Sequence, residues 1–347
     1  MTAPDGENER LLALLDRVAG LRVAVVGDLI LDRYVWGEAT RISQEAPVPV
    51  VRVSRETATP GGAANVANNL LCLGAETHVY GLVGEDAHGR ELRQCLEAAG
   101  GRTRGIVATP QRPTTVKTRV IAGHQQVVRI DQEETGEAPA AARRAVGRIL
   151  SGQLRRGVYQ AVIIEDYAKG LITGEFAQEI VDCAAAAGVP VALDPHPSHA
   201  FRLKGLTLMT PNRAEAFGLA GRYLTPGVLP VEKDEALLGT GRVLRKQWGI
   251  RHLLITLGGD GMALFGGRAR PLHIPTRARE VFDVSGAGDT VIAAFTLALA
   301  AGARPADAAA FANCAAGIVV GKVGTVPIHA AELREYLRSP HESCRVR

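Results

Sequence analysis

The chain has 347 residues, 46% hydrophobic and 22% charged, with a net charge of +4. That balance describes a globular enzyme built around one principal core. The positive charge is mild and scattered and only 4% of residues are aromatic, so neither a duplex footprint nor a stacking platform is present and no nucleic-acid partner is expected. No segment offers the ~20 consecutive apolar residues that span a bilayer. The opening MTAPDGENERLLALLDRVAG is acidic and lacks a long apolar stretch, unlike a signal peptide. Cys72, Cys95, Cys183, Cys314 and Cys344 are odd in number, far apart and never in a C-x-x-C pair. Free thiols, a cytoplasmic location and no membrane partner follow as expectations.

In chain order, residues 1–20 read as an N-terminal helical extension, 21–338 as the main domain and 339–347 as a tail. Short apolar runs then recur, each stopping at a polar or turn residue: RVAVVGD at Asp28, AVIIED at Asp166, VALDP at Asp194, LTLMTPN at Asn212 and LLITLGGDG at Gly258. Helical stretches such as EFAQEIVDCAAAAG and DEALLGTGRVLRKQWG lie between several of them. Continuous apolar strands alternating with helices predict an α/β fold, a doubly wound, mostly parallel sheet flanked by helices on both faces. Ligands collect at the carboxyl ends of such strands, which makes Asp28, Asp166, Asp194 and Asn212 candidates for one cleft. Residues 34–54 and 103–131 are rich in Val, Thr and Pro and alternate without helical period. They predict extra strands, a small sheet inserted into the main domain. In TTVKTRV, Thr115, Lys117 and Arg119 share one face, a cationic surface or simply a solvated edge.

The segment DVSGAGDT, Asp283 to Thr290, sets an acid behind Gly286, Ala287 and Gly288 just before the apolar run VIAAFTLALA. As a dinucleotide fingerprint it fails, because the acid expected ~20 residues later falls in a helical stretch and Asp289 would face the bound phosphates. As a phosphoryl-transfer site it gives each residue a task. The N–H groups of Gly286 to Gly288 form an anion hole at a helix start, and Asp289 takes the proton of a substrate hydroxyl. The plain alternative is that Asp289 only supplies charge to a helix start.

TPGGAANVANNL pairs Gly61 and Gly62 before a helix carrying Asn65, which suits a polyhydroxylated ligand or an ordinary turn. In TPNRAEA, Asn212 and Glu215 are three apart at a strand end, suited to Mg²⁺ through water or to a helix cap. TLGGDG, Thr256 to Gly261, is a further strand-to-glycine loop where backbone can approach a nucleotide. DYAKG offers Lys169 beyond Asp166, a point charge for phosphate or a surface lysine. His196 and His199 lack an apparent third ligand, which argues against zinc. Neither a G-x-x-x-x-G-K-[ST] loop nor a G-x-S-x-G elbow occurs.

Taken together, the ordered motifs from Arg22 to Glu332 resemble the ribokinase-like (PfkB) carbohydrate kinase family. Within it, GDLILDRYVWGEATRISQEAPVPVVRV, PGGAANVANNL, HQQVVRID, EDYAKG and EVFDVSGAGDTV are similar to the branch acting on heptose 7-phosphates. Two departures are Gln44 for a usual Pro and Ser285 for a usual Thr, the latter keeping its hydroxyl. The resemblance implies ATP and Mg²⁺ as cofactors. It further implies phosphate transfer to the anomeric hydroxyl of D-glycero-D-manno-heptose 7-phosphate, for ADP-heptose and lipopolysaccharide core synthesis. Another sugar kinase of the family and an idle sensor are the alternatives. The resemblance also implies that the small sheet is a β lid closing over the sugar, with a homodimer formed through it. Some relatives carry a fused H-x-G-H nucleotidyltransferase; no such motif occurs before Arg347, and a stand-alone kinase is expected. Carried over, Asp289 is the base, Gly286, Ala287 and Gly288 the anion hole, and Asn212 with Glu215 the organisers of metal and phosphate. Asp28, Asp32, Gly61, Gly62, Asn65 and Asp166 fall on the sugar side. Thr256, Gly258, Gly261 and Asn313 fall on the nucleotide side. For the second phosphate of the substrate, Lys117, Arg119, Arg129 and Lys169 are the candidate cations, since Arg pairs bidentately with such groups.

Overall fold

The computed structural model describes residues 4–123, 125–199, 201–267, 270–278 and 281–339. Helix α1 (Pro4–Val18) leads into β1 (Arg22–Gly27), whose last five residues are all buried. Two long strands follow, β2 (Leu29–Ile42) and β3 (Pro49–Gly62), then α2 (Ala63–Cys72), β4 (Glu76–Gly84), α3 (Ala87–Ala98) and β5 (Arg102–Thr109). Next come β6 (Thr115–Ala122), β7 (Gln125–Gln132), α4 (Ala140–Arg155), β8 (Ala161–Glu165), α5 (Gly174–Ala186), β9 (Val191–Asp194), β10 (Leu208–Met209) and α6 (Arg213–Leu219). The chain closes with α7 (Glu235–Trp248), β11 (His252–Thr256), β12 (Met262–Phe265), β13 (Leu272–Ile274), α8 (Ala287–Ala300), α9 (Pro305–Val319) and α10 (Ala330–Arg338).

Nine strands form one sheet in the order β13-β12-β11-β10-β9-β8-β1-β4-β5, parallel except for β12 and β13. Register places Val25 beside both Val79 and Ile163, so a strand without polar interruption is buried on both faces. The two faces carry separate cores. Helices α1, α2, α8, α9 and α10 cover one with Leu11, Leu70, Phe295, Phe311 and Leu333. Helices α4 to α7 cover the other with Leu150, Ile180, Phe217 and Leu244. Helix α8, buried from Asp289 to Ala298, is apolar nearly all round because it lies under α2 and α9. Among the described residues no helix is long and apolar enough to cross a membrane, and Cys72, Cys95, Cys183 and Cys314 are free; Cys344 lies outside the described residues.

A second, four-stranded sheet has the order β3-β2-β6-β7. Only Asp28 separates β1 from β2, and β3 ends at Gly62 directly before α2. The expected lid segment 103–131 therefore divides. Its first part, β5, pairs parallel with β4 at the edge of the large sheet, and only β6 and β7 join the small one. Alternation alone does not distinguish an edge strand of a large sheet from a strand of a small one. The expected N-terminal extension is likewise part of the helical layer, since Leu11, Leu14, Leu15 and Val18 are at most 2% exposed. The tail beyond Ser339 lies outside the described residues.

Gly27 closes β1 where β8 and α2 converge, and a Cβ there would overlap the carbonyl oxygen of Glu165 and touch Ala63. Because the obstruction is main chain in a central strand, Gly27→Ala is expected to cost about 3 kcal/mol and lower Tm by several degrees in thermal unfolding.

Candidate active site

Asp289 sits in the first turn of α8, whose cap, Gly286, takes φ 77°, a left-handed conformation that favours glycine. A side chain at Gly286 would also press on the amide of Asn65, 2.8 Å from its Cβ. The turn is held from outside the helix: Asp283 accepts from the Ser285 amide (2.9 Å) and from the Gly324 amide (3.0 Å). Burial works against the charge of Asp283, but these amides hold its carboxyl below the ordinary range. Of the expected anion-hole donors, Ala287 turns its amide onto the Val284 carbonyl at 3.2 Å.

The Asp289 carboxylate, 4% exposed, is held by two donors. The Asn65 amide donates to Oδ2 at 2.6 Å and the Tyr167 hydroxyl to Oδ1 at 2.8 Å. Burial pushes the Asp289 carboxyl up to about 6, and these hydrogen bonds pull the other way. Asn65 is itself fixed one helical turn away, where Asn69 donates to its carbonyl at 2.9 Å. Asn69 in turn accepts from the Thr290 hydroxyl and the Ile328 amide, each at 3.1 Å. The pair of asparagines in α2 thus ties that helix to α8 beside the carboxylate.

Two further carboxyls close on Asp289 from the strand ends. Among the described residues Glu165, wholly buried at the end of β8, has no hydroxyl, amide or cationic partner for either oxygen and faces the carboxyl of Asp194 at the end of β9. Asp194 accepts from the Thr210 hydroxyl at 3.1 Å. One oxygen from each of Glu165, Asp194 and Asp289 lies within 4.8 Å of the others. Burial first holds both Glu165 and Asp194 well above the usual carboxylate range; repulsion from Asp194 and Asp289 adds to it at Glu165, and repulsion from Glu215 and Asp289 at Asp194. A divalent cation fits this donor set, because it offers hard carboxylate oxygens close together, those of Glu165 without a hydrogen-bond donor. Among the described residues, His196 and His199 are not part of such a grouping; His199 pairs with Asp166 at 2.8 Å instead.

The other candidate residues divide between the cleft and their own neighbours. Asn212 and Glu215 close a capping box on α6: the Glu215 amide donates to Asn212 at 2.9 Å and the Asn212 amide to Glu215 at 2.7 Å. Asp194 still feels the Glu215 charge. Thr256 bridges to Asn212, and Gly258 and Gly261 bracket the tight turn after β11. Asn313 is buried in α9 and donates to the Pro275 carbonyl at 2.7 Å. Gly61 packs against Asp32, and Gly62 caps α2. Asp28 accepts from three amides of the segment after β8: Tyr167 at 3.0 Å, Lys169 at 2.9 Å and Leu171 at 3.2 Å. Asp166 accepts from the Ala168 amide at 2.9 Å.

Three of the four candidate cations already have acidic partners: Arg119 with Asp32 at 2.6 Å, Arg129 with Asp131 at 2.9 Å and Lys169 with Glu133 at 2.8 Å. Lys117 differs. Among the described residues no carboxylate lies within ion-pair distance of it, and its ammonium rests 5.7 Å from the centre of the Tyr167 ring. Burial, then the neighbouring Lys169 charge, holds the Lys117 ammonium below its usual value.

Residues 21–331 match the family described as pfkB family carbohydrate kinase. The chain belongs to that family. The kinase is 45% identical over 318 residues to the bifunctional protein HldE of Magnetococcus marinus, covering 90% of this chain and 63% of that one. It is 44% identical over 323 residues to the bifunctional protein HldE of Caulobacter vibrioides, covering 93% and 65%. The kinase thus spans less than two thirds of the length of these curated relatives. Among solved structures it superposes on Arabidopsis thaliana ribokinase complexed with ribose and ATP with TM-score 0.70 and 23% identity, covering 93% and 100% of the two chains. Escherichia coli phosphofructokinase-2 with substrates and products gives TM-score 0.73 at 17% identity, covering 92% and 100%. These likenesses establish a ribokinase-like fold with its smaller second sheet.

Glu165 and Tyr167 were not among the residues singled out by motif, and Asp194 was placed in the cleft without a role. The signal for Glu165 was present in AVIIED, where strand alternation puts it on the face of Ile163. Since Asp289 is raised to about 6, a base there is ionised above that pH and protonated below it. The kcat/KM of the kinase is therefore expected to fall about tenfold per unit as pH drops below 6, measured by ADP release across pH 5 to 8.

Proposed function

We propose that the kinase transfers the γ-phosphoryl group of ATP to the anomeric hydroxyl of D-glycero-D-manno-heptose 7-phosphate, giving the 1,7-bisphosphate. The observation that carries the catalytic part is the Asp289 carboxylate, buried at the start of α8 and pinned by Asn65 and Tyr167. In this reading Asp289 removes the hydroxyl proton as the sugar oxygen attacks phosphorus and the bond to the β-phosphate oxygen breaks, releasing ADP. Amides at the head of α8 face the oxygens of the moving group, and the helix dipole favours their charge. Mg²⁺ would be held by Glu165 and Asp194, with Glu215 reaching it through water, and would neutralise charge on the ATP phosphates.

The heptose phosphate reading is supported by the resemblance of the sugar-side segments and by Lys117, a half-buried cation facing the cleft with no carboxylate at ion-pair distance among the described residues. The pairing of Arg119, Arg129 and Lys169 with acids favours the second reading, a kinase of the same family for a sugar without that phosphate. The exposed Val53, Val127, Val128 and Ile130 of the small sheet, 40% to 56% accessible, support a homodimer through that surface. A location in the cytoplasm accords with ATP as donor.

Asp289→Asn is expected to lower kcat by ~10²-fold or more with nucleotide binding kept, because the general base is lost. Lys117→Met is expected to raise KM for heptose 7-phosphate about tenfold while leaving KM for ATP within about twofold. The decisive assay measures ADP release on a panel of heptose 7-phosphate, fructose 6-phosphate and ribose. Turnover of ribose or fructose 6-phosphate without the heptose phosphate would establish the second reading, and saturable binding with no turnover on any sugar would overturn both.

A further inference from the structure

In the reaction as drawn so far the segment after β8 contributes only the Tyr167 hydroxyl on Asp289, yet several contacts constrain it. Asp28 gathers it by accepting from the amides of Tyr167, Lys169 and Leu171. Ala168, with φ 53°, takes the left-handed conformation unusual for a side chain, and the Asp166 carboxylate fixes its amide at 2.9 Å. The product of this arrangement is the direction of one side chain. Tyr167 leaves the segment toward α8 and donates its hydroxyl to Asp289 Oδ1 at 2.8 Å, while the Lys117 ammonium lies over its ring.

The terminal torsion of an aspartate is broad and roughly twofold, so its carboxylate plane is not set by the rotamer. A single donor on one oxygen leaves that plane free to turn about the hydrogen bond. Two donors on different oxygens fix it, and Asp289 has Asn65 on Oδ2 and Tyr167 on Oδ1. We propose that Tyr167 is a positioning residue for the catalytic base: its hydroxyl sets the plane of the Asp289 carboxylate, and Asp28 holds the segment that aims it. The lone pairs left to Asp289 then point into the cleft, where the acceptor hydroxyl must arrive. Asp28 acts here through the main chain, with its oxygens turned to these amides. The proposal rests on Asp289 being the base of the proposed reaction.

The test is a double-mutant cycle on the full chain, with heptose 7-phosphate and ribose as acceptors and ADP release as readout. Tyr167→Phe keeps the ring under Lys117 and removes only the hydroxyl. It is expected to lower kcat about tenfold, with both KM values within about twofold, as for loss of alignment rather than of binding. In the Asp289→Asn background the same change is expected to alter the residual kcat by less than about twofold, because nothing remains for Tyr167 to orient. A parental kcat in Tyr167→Phe, a loss confined to KM, or a tenfold loss that persists in the Asp289→Asn background would each overturn the proposal. Asp28→Asn supplies a second variant should Tyr167→Phe fail to fold, judged by circular dichroism and Tm. It places a donor against amides that also donate, and is expected to lower kcat with KM kept; unchanged kcat in folded Asp28→Asn would overturn the part given to Asp28. If Asp289→Asn itself keeps parental turnover, the proposed reaction fails first. If that variant is inactive while Tyr167→Phe is not, only the present inference fails.

Discussion

Everything around the cleft answers to one constraint, a carboxylate buried at the start of α8. Raising Asp289 from 3.8 to about 6 corresponds to roughly 3 kcal/mol against the charged form, a large share of the stability of an ordinary domain. A residue kept only for folding would have no reason to carry that penalty. The surrounding residues reduce it without removing it: Asn65 and Tyr167 donate, and the Lys117 charge helps from a greater distance. A carboxyl brought to about 6 is ionised at neutral pH yet basic enough to accept a proton, the balance a general base needs.

The same constraint explains why the two sheets meet where they do. The donors to Asp289 come from α2, reached through β3, and from the segment after β8. That segment is fastened by Asp28, the single residue between β1 of the large sheet and β2 of the small one. The small sheet is therefore linked to both oxygens of Asp289, through the chain from β3 into α2 and through the hydrogen bonds of Asp28 to the segment of Tyr167. Lys117 of β6, stacked over Tyr167, adds a third contact between the small sheet and this apparatus.

The fold was legible because the buried parallel strands read as unbroken apolar runs whose ends fall on polar residues. The glycine-rich start of α8 was legible for the same reason, since few other sequences put an acid behind three small residues before an apolar helix. What stayed hidden depended on partners distant in sequence. Asp28 has the place and the residue type of a sugar ligand, but its oxygens meet amides 139 to 143 residues away. Arg119 looks like a phosphate ligand until Asp32, 87 residues off, is found against it. Asn212 and Glu215 carried both readings, metal and helix cap, and the cap is visible in their hydrogen bonds because it needs only the local chain. Strand β5 lies in the large sheet for the same reason, since alternation describes a strand but not the sheet it joins.

Glu165 and Asp194 give the constraint its last consequence. Asp289 stands beside two carboxyls that burial has driven well above their usual range, and Glu165 has only the Asp194 carboxyl facing it among the described residues. Three ionised acids within 4.8 Å of one another are not stable without protons or a cation between them. With protons on Glu165 and Asp194 the charge of the cluster rests on Asp289, which at about 6 is ionised at neutral pH. In the proposed reaction a divalent cation would take the place of those protons, with Glu165 and Asp194 ionised on it. In either state the cluster leaves on Asp289 the negative charge that a base needs.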